Sequence, residues 1–139
     1  MILIVEDDAP LQQALQVYLT EKNFCVLQAG DVDKAVAILK KETPEMILLD
    51  LLLPGKHGTV LLELLKKEGS RIPVIVITNT DSAGKREQCM QLGACGFIIK
   101  SNTSLPELLR LIIHYCDSTS PLKSSASSLD SPKARRRFF

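Results

Sequence analysis

No two cysteines in this chain are spaced C-x-x-C, and the two histidines, His57 and His114, add no zinc-ligand spacing to Cys25, Cys89, Cys95 or Cys116. A zinc site is therefore not expected, and nothing calls for an oxidising compartment. Cys25 and Cys95 lie in apolar strand-like runs and read as small buried hydrophobes. No apolar run is long enough to span a bilayer, and no basic segment with an apolar core and cleavage site stands at the N-terminus. A cytoplasmic protein with no membrane contact is expected. Nor is there an excess of one charge: the formal net charge is +1, which gives no case for direct DNA binding or for an acidic surface as partner. The near-neutrality hides an asymmetry. Residues 1–116 carry 12 Lys+Arg against 14 Asp+Glu, a net of −2, whereas residues 117–139 carry five against two, a net of +3.

What is present is a set of short aliphatic runs, and the strongest is Met46-Ile47-Leu48-Leu49-Asp50-Leu51-Leu52-Leu53-Pro54-Gly55. Such a run reads as a strand buried on both faces, as in parallel sheets. Pro54 and Gly55 then force a loop, so Asp50 falls at the carboxyl end of a central strand. A buried lone carboxylate is costly, so Asp50 must reach an edge, hold a cation or change protonation. The plainer alternative is a solvated aspartate just past the strand.

The rest of the chain repeats one theme. Ile2–Val5 is a strand ending in Glu6-Asp7-Asp8, and Asp8 can cap a helix over Ala9–Lys22, with Pro10 in its first turn. Phe24–Gln28 is a second strand, broken by Gly30. Asp31 can cap a helix over Val32–Glu42. After the central strand, Gly58 opens a helix to about Glu68. Pro73–Thr78 is a β-branched strand, Ala83–Leu92 a weakly amphipathic helix, and Cys95–Ile99 a last strand ending at Lys100. Ser104 and Glu107 form a capping box for a helix to about Tyr115. Five strand–helix repeats imply an α/β fold: a doubly wound, five-stranded parallel sheet of the flavodoxin-like (βα)5 kind, with strand order 2-1-3-4-5.

In that fold every strand ends at one edge of the sheet. Glu6, Asp7, Asp50, Thr78 and Lys100 therefore converge. Like charges about 4 Å apart repel by roughly 4 kcal/mol at an effective dielectric near 20, so three acids need more than one lysine. An all-oxygen site with room for water suits Mg²⁺. A carboxylate beside Mg²⁺, with a lysine and a threonine opposite, suits phosphoryl transfer to Asp50. Acids after the first strand would repel a bound phosphate group, which counts against a flavodoxin-like cofactor binder.

The four segments Ile-Leu-Ile-Val-Glu-Asp-Asp, Leu-Leu-Asp-Leu-Leu-Leu-Pro-Gly, Pro-Val-Ile-Val-Ile-Thr and Gly-Ala-Cys-Gly-Phe-Ile-Ile-Lys, in this order, resemble a response-regulator receiver domain of two-component signalling, of the chemotaxis-regulator type. The resemblance covers about residues 1–116. It implies Asp50 as phosphoacceptor; Glu6 and Asp7 as the acidic pair; Asp7, Asp50 and the Leu52 backbone carbonyl as holders of Mg²⁺; Thr78 and Lys100 on the phosphoryl group; and Phe97, with Thr78, as the switch. It also implies a histidine kinase or phosphotransfer domain as donor, self-phosphorylation and self-dephosphorylation in place of conventional turnover, and an output face on the last two helices and last strand, read by a downstream protein or domain. Several positions depart from the pattern: Ser101 replaces the usual proline after the lysine, Asn79 a small residue after the threonine, and His57 an acid or amide. Phe97 has no hydroxyl. The alternative function is a pseudo-receiver that binds proteins without being phosphorylated. Residues 117–139, Ser-rich and ending Ala134-Arg135-Arg136-Arg137-Phe138-Phe139, read as a flexible basic tail or linker.

Overall fold

The computed structural model describes residues 1–79 and 83–119, with side chains through Tyr115. Five strands alternate with five helices in chain order: β1 (Ile2–Val5), α1 (Ala9–Glu21), β2 (Val26–Ala29), α2 (Val32–Leu39), β3 (Met46–Leu49), α3 (Gly58–Lys67), β4 (Val74–Thr78), α4 (Ala83–Gln91), β5 (Gly96–Ile99) and α5 (Leu105–Thr119). The sheet is parallel throughout, in the expected order β2-β1-β3-β4-β5.

Strand periodicity sorts the core into two layers. Ile2, Ile4, Met46, Leu48, Ile75, Ile77 and Ile98 turn to one face and pack against Leu15 and Leu19 of α1 and Leu108, Leu109 and Ile112 of α5. Their neighbours Leu3, Val5, Ile47, Leu49, Val74, Val76 and Phe97 turn to the other face, against Val32, Ala35 and Leu39 of α2, Leu61, Leu62 and Leu65 of α3, and Cys89 of α4. Aliphatic runs buried on both sides are thus explained by helices on both sides.

Several boundaries differ from the sequence-based expectation. β2 starts at Val26 rather than Phe24, so Cys25 precedes an edge strand and is exposed; among the cysteines described, Cys89 is the buried thiol. Cys95 is only half-buried. α2 stops at Leu39, and β3 stops at Leu49. α5 continues to Thr119. Asp31 caps α2 by accepting from the Lys34 N–H at 2.8 Å. Asp8, in the cap position of α1, makes no such side-chain bond. After β5 the chain forms a 3₁₀ turn, Lys100–Asn102, where Ser101 stands. The expected tail, from residue 120 on, lies outside the described residues.

The β3–α3 connection is held tightly. The Asp50 N–H donates to the Val5 carbonyl at 2.9 Å, and the Gly58 N–H donates to the Leu51 carbonyl at 2.8 Å. The first residue of α3 is thereby laid on the end of β3. A Cβ on Gly58 would overlap the Asp50 carbonyl oxygen and lie 2.8 Å from the Leu51 Cα. Backbone atoms at both contacts have nowhere to go. Gly58→Ala is therefore expected to cost about 2–3 kcal/mol of stability, the upper range for overpacking. Chemical denaturation checks it, and an unchanged midpoint would show that the contact relaxes freely.

Candidate functional site

Register decides which side chains meet. Val5 pairs with Leu49 across β1 and β3, so Glu6 and Asp50 leave adjacent strands side by side. Thr78 ends β4 opposite Ile99, so Lys100 follows directly on the far strand. Glu6, Asp50 and Thr78 are all buried, Glu6 and Thr78 completely. Asp7 is exposed. Glu6, Asp7 and Asp50 can each place a carboxylate oxygen within 4.8 Å of the others, the one such cluster among the described residues.

Lys100 crosses the sheet edge to close this group. Its Nζ donates to Glu6 Oε1 at 2.9 Å and to Asp50 Oδ2 at 3.2 Å. Glu6 Oε2 accepts the Asp8 N–H at 3.0 Å, and the Gln12 side-chain amide donates to the Glu6 carbonyl at 2.6 Å. Asp50 Oδ1 accepts the Leu52 N–H at a long 3.4 Å. The Leu52 side chain itself is 58% exposed beside the site.

The electrostatics show which charges are in excess. Burial pushes the Glu6 carboxyl up from its ordinary 4.5, and the charge of Asp50 adds to this; the hydrogen bonds from Lys100 and Asp8 oppose the rise without cancelling it. Burial alone would lower the Lys100 ammonium, but its hydrogen bond to Glu6 and the charges of Asp50 and Glu6 outweigh that and raise it above 10.5. A raised lysine keeps its proton, so its stabilising charge is lost only at pH above that value. The raised acid means the reverse for Glu6: the folded state holds this proton to higher pH than the unfolded chain. Stability from this group therefore falls as pH rises from about 4.5 through the folded value.

Two residues at the rim were not legible as such. His57, which departs from the family's acid or amide, is the N-cap of α3. Its Nδ1 accepts the Thr59 N–H at 3.3 Å and lies 3.0 Å from Thr59 Oγ1. Burial first, and the charge of Lys85 second, lower its pKa against the pull of Asp50. A neutral ring with a free Nδ1 lone pair is what the cap requires. Arg86 of α4 lies over the Phe97 ring, 5.0 Å from its centroid. Phe97 is turned into the core, 8% exposed. The two are eleven positions apart in the chain, and no local pattern links them.

The family model of the response regulator receiver domain matches residues 2–113. The chain belongs to this family. The receiver is 32% identical over 113 residues to the transcriptional regulatory protein RstA of Escherichia coli, covering 81% of this chain and 47% of that protein. It is 37% identical over 101 residues to the phosphate regulon transcriptional regulatory protein PhoB of Klebsiella pneumoniae, covering 71% and 44%. The receiver thus spans less than half the length of these two regulators. Among solved structures, a CheY-like receiver domain protein from Methanospirillum hungatei superposes with a TM-score of 0.76 at 27% identity, over 85% of this chain and 94% of that one.

The titration of the receiver's acidic site is directly measurable. In metal-free protein, side-chain carboxyl NMR should give Glu6 a midpoint above 4.5, and Asp50→Asn should bring it down by removing a neighbouring negative charge. A Glu6 midpoint at or below 4.5 would contradict this account of the excess charge.

Proposed function

We propose that Asp50 is the phosphoacceptor of this receiver, and that a divalent cation, Mg²⁺, completes its site. The observation that carries the proposal is the half-buried Lys100 bridge between the buried Glu6 and Asp50, at the ends of three separate strands. One ammonium faces three carboxylates there, so the group remains short of positive charge. Hard, all-oxygen donors on both buried and exposed residues match Mg²⁺, which keeps several waters and binds through one or two carboxylates plus phosphate. Asp7, Asp50 and the Leu52 carbonyl would hold it, with Glu6 behind them. The ion would supply charge neutralisation to the transferring phosphoryl group.

The remaining roles fall to the chain's own groups. An Asp50 carboxylate oxygen forms the new bond to phosphorus as the donor's bond to phosphorus breaks, and the departing group takes the electron pair. Lys100 exchanges a carboxylate for a phosphoryl oxygen, and the Thr78 hydroxyl donates to another. Thr78 and Phe97 lie on adjacent strands, β4 and β5, two register positions apart, and so relate the site to the face formed by α4, β5 and α5. The donor is a histidine kinase or phosphotransfer domain. The regulators RstA and PhoB are named as transcriptional, and residues 1–119 here form only the α/β unit; direct DNA contact is assigned to a separate output protein or domain. No helix among the described residues is long and apolar enough to cross a membrane, in keeping with a cytoplasmic setting. The binding-only alternative gives no reason for the full charged set to be assembled.

With Mg²⁺ and acetyl phosphate, the intact mass should rise by one phosphoryl unit, and Asp50→Asn should abolish the gain. A gain that survives Asp50→Asn would move the acceptor elsewhere, and no gain in the wild type would favour the binding-only reading. Because Leu52 cannot hydrogen-bond an attacking water, the phosphorylated state should decay slowly, and Leu52→Asn should hasten the decay several-fold.

A further inference from the structure

An open apolar groove lies away from the charged site, between α1 and α5. Its walls are Pro10, Ala14, Val17 and Tyr18 of α1 and Leu105 and Leu109 of α5, enclosing about 590 Å³. Val17 is 55% exposed and Leu105 40%, large values for aliphatic side chains that face each other across a groove. The volume falls within the range of about 300–1,000 Å³ typical of ligand pockets. Glu21 is the charged residue of the lining. Lys22, the next residue, lies over the Tyr18 ring, so the apolar wall dominates recognition and the negative charge is local.

We propose that this groove is the docking site for the chain's own Arg135-Arg136-Arg137-Phe138-Phe139 segment. Three properties select this occupant. The first is chemical fit: two adjacent phenylalanines match an aliphatic groove, and the arginines before them match Glu21 and the net charge of −2 on residues 1–116. The second is reach. α5 leads from the groove at Leu105 to its end at Thr119, a rise of about 21 Å. For the nineteen residues from Ser120 to Phe138, random-coil statistics give a root-mean-square reach of about 24 Å. The third is effective concentration. When linker span matches the distance to be bridged, the local concentration reaches the millimolar range, so a contact too weak to form between separate molecules is populated within one. The groove begins three residues after Asp7 and five after Lys100, so the docked segment stands beside the acidic site. Docking itself is independent of whether Asp50 accepts a phosphoryl group.

The test compares methyl NMR spectra of the full chain with those of the Phe138→Ala/Phe139→Ala variant, whose substitutions lie outside the described residues. Ring currents from docked phenylalanines should move the methyl signals of Ala14, Val17, Leu105 and Leu109 in the wild type. The displacement should be lost in the variant, while Leu27 and Ile38, on the far side of the sheet, stay fixed. A synthetic peptide of residues 134–139 added to the variant should restore it. Replacing the three arginines with alanine should reduce the displacement without abolishing it. Identical groove signals in wild type and variant overturn the proposal. So does a displacement that persists in the variant and grows with protein concentration, which would make a second copy the occupant.

Discussion

A single ammonium group at the edge of the sheet governs this structure. Lys100 reaches across from the end of β5 and touches Glu6 and Asp50, which arrive from β1 and β3. Without that contact, two buried carboxylates would face each other in a medium where repulsion is worth several kcal/mol. With it, they are tolerated but not satisfied: Glu6 still holds its proton above its ordinary range, because burial outweighs the help it receives. The strand ends are therefore an electrostatic deficit maintained by the fold. The hydrophobic layers on both faces supply the stability that allows it, since every strand residue from Ile2 to Val5 and from Met46 to Leu49 is fully buried.

The deficit is useful only if its geometry is fixed, and the β3–α3 connection fixes it. Gly58 lets the first turn of α3 rest on the Asp50 and Leu51 backbone. His57 then ties that turn through Thr59. His57 thus helps hold the helix that packs on the Asp50 end of β3. On the other side of the site, Phe97 is turned inward under Arg86, which joins α4 to the edge strand by a contact between a cation and an aromatic face.

Much of this was legible in the residues. Aliphatic runs punctuated by Pro, Gly and Asp define the strands and their order, because a parallel sheet buried on both faces leaves little freedom in pattern or connection. The convergence of Glu6, Asp50, Thr78 and Lys100 follows from topology alone. What escaped the sequence depended on the exposed margins. Cys25 sits in an apolar run but outside the edge strand, where one side has no neighbour to bury it. The cap made by His57 depends on one ring nitrogen facing Thr59, and the Arg86–Phe97 contact joins residues brought together only by packing. α5 outlasts its expected end because no glycine or proline stops it before Pro121.

The central claim is that the strand-end carboxylates form one cation site completed by Asp7 and Asp50. Titrating Mg²⁺ into the protein while following backbone amide signals tests it most directly. The account predicts saturable shifts concentrated at residues 6–8 and 50–53, and at least a tenfold loss of affinity in Asp7→Asn. Binding as tight in Asp7→Asn as in the wild type would contradict it.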